Sequence, residues 1–201
     1  VIVENCRFIH YATTNSNIGP GFPSIWTSAD GLGSFVLRNN YFDGGIPANP
    51  AYGADGLVWE QTGEETFISG NTINNFKFEG IQCGARQQTI NGNIFRTTRN
   101  ASTVAIAVTP VSGWTGWNLS NIQLTVENNI QTGGTAFLTD PTIDFDGGIK
   151  IDATIGNNTV TLGDKANGNL CGIAIVLTRL HRSTITGTTF DNYSNVGLLF
   201  A

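Results

Sequence analysis

The chain has 201 residues, 12% of them charged and 40% hydrophobic, and a net charge of −5 from three Lys and seven Arg against 15 acidic residues. Low charge with this much apolar content buries a core, which excludes disorder. No apolar run approaches the roughly 18 residues of a membrane-spanning helix, and no basic run exists to attract nucleic-acid phosphates or an anionic bilayer. Asn (22), Thr (25) and Gly (25) dominate, and the Ala-rich, Leu/Glu/Lys-type composition of helical bundles is missing. The chain starts at Val1 and contains no Met, so it reads as a processed product or an excised segment.

In chain order, one six-residue pattern recurs seven times: Val3–Phe8 (VENCRF), Leu37–Phe42 (LRNNYF), Ile68–Ile73 (ISGNTI), Ile90–Phe95 (INGNIF), Val126–Gln131 (VENNIQ), Ile155–Val160 (IGNNTV) and Ile185–Phe190 (ITGTTF). The first position is always aliphatic. The third is always Asn or Gly: Asn5, Asn39, Gly70, Gly92, Asn128, Asn157 and Gly187. The fourth is Asn in five copies, with Cys6 and Thr188 as exceptions, and the last is apolar in six of the seven. Asn and Gly tolerate a positive φ, so the third position predicts a sharp bend between two short strands. The Asn that follows can bond its equivalents above and below, as in stacked Asn ladders. Starts are separated by 22 to 36 residues, about one long turn of chain each, so a constant unit carries loops of variable length.

Between these copies lie Gly56–Trp59, Gly80–Cys83, Thr103–Ile106, Gly172–Ile175 and Gly197–Phe200, with Gly148–Ile151 expected to join them. They are short, apolar or alternating, and read as a further strand of each turn. The largest insertions are expected at His10–Ser34, Asp43–Ala54, Thr109–Asn121 and Thr139–Gly147. Short strands, Asn/Gly bends and this period predict an all-β parallel solenoid of about seven rungs, a single domain over 1–201 that continues beyond both ends, because neither end offers a polar cap. Cys6, Cys83 and Cys171 have no disulfide or metal spacing and are expected to be buried free thiols. Glu64-Glu65 reads as a solvated turn.

From Val3 to Phe200 these units resemble the right-handed parallel β-helix superfamily, the pectate-lyase-like group that includes phage tailspikes and polysaccharide-degrading enzymes. The resemblance implies a carbohydrate-active protein, most like a tailspike segment that binds and hydrolyses a bacterial surface polysaccharide as an endo-acting glycoside hydrolase. The alternative is a non-catalytic glycan-binding adhesin or structural spike module, and a pectate-type lyase comes third. Polygalacturonase signatures are absent, and Asp144, Asp146 and Asp152 are a thin echo of a lyase calcium site, so neither cofactor nor metal is expected. The resemblance further implies a homotrimer in the intact protein and a place in a virion tail or otherwise outside the cell, with no nucleic-acid partner and no membrane insertion.

Candidate site residues follow from the strands and loops. Asp55 precedes Gly56, and Glu79 precedes Gly80. Aligning these glycines makes the two carboxylates neighbours on adjacent strands, spaced for the acid and base of glycoside hydrolysis. Glu60, after Trp59, is a third candidate. Trp26, Trp59, Trp114 and Trp117 are candidate platforms for sugar rings, with packing against the solenoid wall as the alternative. Arg86, Arg96 and Arg99 could meet a sugar acid, though surface pairing suits them better. His10 and His181 are too far apart in the chain to suggest a Ser-His-Asp arrangement.

Overall fold

The computed structural model describes residues 1–9, 24–27, 32–45, 56–60, 63–76, 78–98, 103–108, 122–140, 150–163, 173–177, 180–191 and 196–200. These contain 21 strands and no helix. All pairings are parallel, and the strands, numbered in chain order, form three sheets of seven, an arrangement compatible with a β-solenoid. Sheet 1 holds β1 (Ile2–Glu4), β4 (Leu32–Arg38), β7 (Gly63–Ser69), β10 (Gln87–Asn91), β13 (Ile122–Glu127), β16 (Ile151–Gly156) and β19 (Leu180–Thr186). Sheet 2 holds β2 (Arg7–Ile9), β5 (Tyr41–Asp43), β8 (Thr72–Asn74), β11 (Ile94–Arg96), β14 (Ile130–Thr132), β17 (Thr159–Thr161) and β20 (Thr189–Asp191). Sheet 3 holds β3 (Ile25–Thr27), β6 (Gly56–Glu60), β9 (Glu79–Cys83), β12 (Val104–Val108), β15 (Ala136–Thr139), β18 (Ile173–Leu177) and β21 (Val196–Phe200). The chain therefore visits the sheets in fixed rotation, and each strand pairs with the strand three further along.

The six-residue pattern is the corner between sheets 1 and 2. All seven residues at its third position have positive φ, from 53° at Asn157 to 66° at Gly70 and Gly92. One left-handed residue turns the chain from one strand directly into the next, which is why Asn and Gly alone occur there. The next position forms the expected ladder. Asn40, Asn71, Asn93, Asn129 and Asn158 are all at most 3% exposed. Each of the first four donates from Nδ2 to Oδ1 of the following Asn at 2.9–3.0 Å. The same Oδ1 also accepts the preceding ladder residue's backbone N–H at 2.9 Å. The second Nδ2 hydrogen is taken by strand carbonyls such as Leu37 O and Ile68 O. A buried amide with every strong group paired costs little, whereas one left unpaired costs about 1–3 kcal/mol. At Thr188 the ladder ends weakly, with contacts of 3.4–3.5 Å from Asn158.

The first and last positions of the pattern fill the interior. Val3, Leu37, Ile68, Ile90, Val126, Ile155 and Ile185 share one register row of sheet 1. Phe8, Phe42, Ile73, Phe95, Gln131, Val160 and Phe190 share one of sheet 2. Ile25, Val58, Ile81, Ile106, Leu138, Ile175 and Leu198 do the same in sheet 3. Phe8 stacks on Phe42 with ring centroids 4.7 Å apart, and Phe95 meets Phe76 edge-on at 6.4 Å. Each fully buried Phe or Ile of these rows contributes about 1.5–3 kcal/mol.

Four expectations are corrected. Strand β3 lies inside the expected His10–Ser34 insertion, because three residues without a flanking Asn/Gly bend leave no periodic signal. Ile151 opens β16 in sheet 1, so Gly148–Ile151 is not the sheet 3 strand of its turn; that role belongs to Ala136–Thr139. Glu64 and Glu65 lie within β7 rather than in a turn. Cys83 is buried, as expected, but Cys6 is exposed, because among the described residues β1 and β2 are the end strands of their sheets. Cys171 lies outside the described residues.

Candidate functional site

Sheet 3 carries most of the candidate residues. The backbone of Trp26 pairs with that of Trp59, and Trp59 with Gln82. Glu60 pairs with Thr27 and with Cys83. Glu79 opens β9 and is half-buried. The residue after it, Gly80, lies against the core: a Cβ there would meet the Ala105 carbonyl oxygen at 2.8 Å and the Phe95 ring at 3.1 Å. No larger residue fits, which explains the glycine that drew attention to this strand.

The register differs from the expected one. Glu79 pairs with Gly56 on one side and Val104 on the other, and Ile81 pairs with Val58. The expected neighbour was Asp55, so the alignment on the two glycines is offset by one residue toward β6. Asp55 itself lies outside the described residues, as do Trp114 and Trp117. Glu60 stands opposite Cys83, four residues along the paired strands from Glu79, which is about 13 Å at strand rise. That exceeds the roughly 5–9.5 Å separations of glycosidase carboxylate pairs, so the backbone does not bring Glu60 and Glu79 together as a pair.

The basic candidates divide. Arg86 forms an ion pair with Glu64 across the ends of β10 and β7, as surface pairing predicts. Arg96 is exposed on β11, and Arg99 is outside the described residues. A cluster missed by the sequence centres on Asp152. Its Oδ1 lies 3.0 Å from His181 Nδ1 and accepts the Arg182 backbone N–H at 3.1 Å. Its Oδ2 accepts from Gln123 Nε2 at 3.0 Å. The register shifts between Ile151 and Ala153, so β19 carries an extra residue there, and the carboxylate satisfies the backbone donor that the irregularity turns out. His181 and Asp152 lie 29 residues apart in sequence and meet through sheet pairing alone, so no spacing rule could have joined them.

Among the described residues no group of three or more His, Cys, Asp or Glu is placed to hold a metal ion, and no helix is long and apolar enough to cross a membrane. Comparison with protein-family models, with curated proteins and with solved structures finds no match to this chain.

Proposed function

We propose that the chain is a right-handed parallel β-helix of seven rungs, pectate-lyase-like in its corner units, that binds a bacterial surface polysaccharide in the manner of a phage tailspike. The observation that carries this reading is the chemistry of the long parallel stack. Its water-facing positions are rich in hydroxyl and amide side chains, while acidic and basic residues are few and often paired with each other, as in Glu4–Arg38 and Glu64–Arg86. Such a surface offers hydrogen bonds at regular intervals without the fixed positive charge that nucleic acid needs. The intact protein is then a homotrimer carried on a virion tail or otherwise outside the cell, and light scattering of the full-length protein giving a monomer mass contradicts the trimer.

Cleavage is the second reading. It rests on Glu79, half-buried and paired through its backbone with Gly56, the residue that follows Asp55. One of these carboxyls would protonate the leaving oxygen and the other would activate water or attack the sugar. Incubating the protein with a panel of bacterial capsules and O-antigens tests both readings. Retention of a glycan without new reducing ends supports the binding module. New reducing ends lost in Asp55→Asn and Glu79→Gln, by about 10²–10⁴-fold in rate, support the hydrolase. An unsaturated-uronate absorbance indicates a lyase instead. Failure to retain or cut any glycan removes the polysaccharide reading.

A further inference from the structure

The water-facing side of sheet 1 is a regular lattice whose columns are set by backbone register. Its central column runs Ile2, Val36, Phe67, Thr89, Thr125, Thr154 and Thr184. On one side of it run Ser34, Glu65, Gln87, Gln123 and Asp152, and on the other Glu4, Arg38, Ser69, Asn91, Glu127, Gly156 and Thr186. The central column carries no charge in any of its seven strands. It has an apolar end, where Ile2 is 63% and Phe67 41% exposed, and a hydroxyl end of four consecutive threonines. Rows repeat at the strand spacing of about 4.8 Å, so the four hydroxyls span roughly 14 Å in a line that begins at an aromatic ring.

We propose that this face is where the polysaccharide of the preceding section binds, that the glycan is neutral and extended, and that it lies along the stacking direction with a ring on Phe67 and its hydroxyls on the threonine column. The inference rests on the polysaccharide reading and specifies its surface and charge class. Charge decides against an acidic glycan, since Glu65, Glu127 and Asp152 flank the column and would repel it, while Arg38, the basic residue of the two flanking columns, is already paired with Glu4. A second protein surface is disfavoured because covering a row of threonine and glutamine groups without matched partners strips each of its water and leaves it unpaired. A lipid surface would meet apolar side chains at one end only. A neutral glycan answers each hydroxyl with a hydroxyl of its own and offers C–H faces to the exposed Phe67 ring.

The test uses the 201-residue chain and immobilised dextran, β-glucan, mannan and galactan, with a uronate-rich capsule as the charged comparison. Thr89→Val, Thr125→Val and Thr154→Val combined keep the β-branched shape while removing three hydroxyls, and are expected to lower affinity for the retained glycan by about tenfold or more. The corresponding triple Ser variant is expected to bind within about threefold of the wild type, which a purely structural role for these residues does not predict. Phe67→Ala is expected to weaken binding about fivefold, and Thr72→Val on sheet 2 to leave it unchanged. A wild type that binds a neutral glycan equally well after the triple Val change overturns this face and leaves the polysaccharide reading standing. Retention on the uronate capsule alone overturns the neutral assignment. No retention on any of the five overturns the inference together with the reading beneath it.

Discussion

Sheets 1 and 3 receive a strand on every circuit of the chain, yet they bury those strands differently. In sheet 1 the burial alternates: Ile122, Leu124 and Val126 are buried while Gln123, Thr125 and Glu127 between them are more open. In sheet 3, β12 buries four residues in succession, Ala105 to Val108, and β15 three, Ala136 to Leu138. Strict alternation specifies register, because a slip of one residue would turn every apolar side chain of the strand to water. Successive buried residues carry no such marker. The difference explains why the rows of sheet 1 follow from the sequence, while the alignment of Asp55 with Glu79 in sheet 3 was offset by one.

The comparison can be broken most severely by placing the same charge on both sheets. Ala105→Asp in β12 puts a carboxylate at a position with no solvent exposure and should cost about 4 kcal/mol or more, enough to prevent accumulation of folded protein. Thr154→Asp, on the exposed side of β16, should cost about 1 kcal/mol or less. Urea unfolding of the two variants measures the gap directly, and equal costs would mean that sheet 3 is as open as sheet 1.

Deleting one ring at a time sharpens the contrast between interior and wall. Phe95→Ala removes a fully buried ring packed edge-on to Phe76 and should cost about 3–5 kcal/mol. Phe67→Ala removes a ring that is 41% exposed and should cost about 1 kcal/mol, as a shift in denaturation midpoint with unchanged slope.

The corner beside sheet 1 supplies the next two tests. Asn93→Leu takes the side-chain acceptor from the Asn71 backbone N–H, one acceptor from Asn71 Nδ2 and the amide donor from the Ile68 carbonyl, and should cost about 1–3 kcal/mol. At Gly92, φ is +66° and a Cβ would meet nothing within 4 Å, so the penalty for a side chain is conformational alone. Gly92→Val should cost about 1–2 kcal/mol, while Gly92→Asn should be nearly neutral, since Asn occupies the same left-handed position at Asn39 and Asn128. Thermal melts in parallel distinguish these outcomes from a steric effect, under which both replacements would fail alike. The smallest effect is expected for Glu4→Gln, which breaks an ion pair with Arg38 whose side chains are 50% and 41% exposed; about 0.5 kcal/mol or less follows from solvent screening, and added salt should erase it.

The seven corners, the Asn ladder and the two rows of apolar residues that flank it were legible in the sequence alone. The physical reason is local: a left-handed residue, a following amide and fixed apolar neighbours lie within six consecutive positions, and only Asn or Gly meets the backbone demand. Tertiary structure decided what depends on strands 20 or more residues apart. It set the register of sheet 3, where successive burial hides the pairing, and it gave sheet 3 the strands Ile25–Thr27 and Ala136–Thr139, which bear no corner signal of their own. It joined Asp152 to His181 and Gln123 across neighbouring strands, and it aligned Thr89, Thr125, Thr154 and Thr184 into one column, because parallel stacking converts positions scattered along the chain into neighbours about 4.8 Å apart.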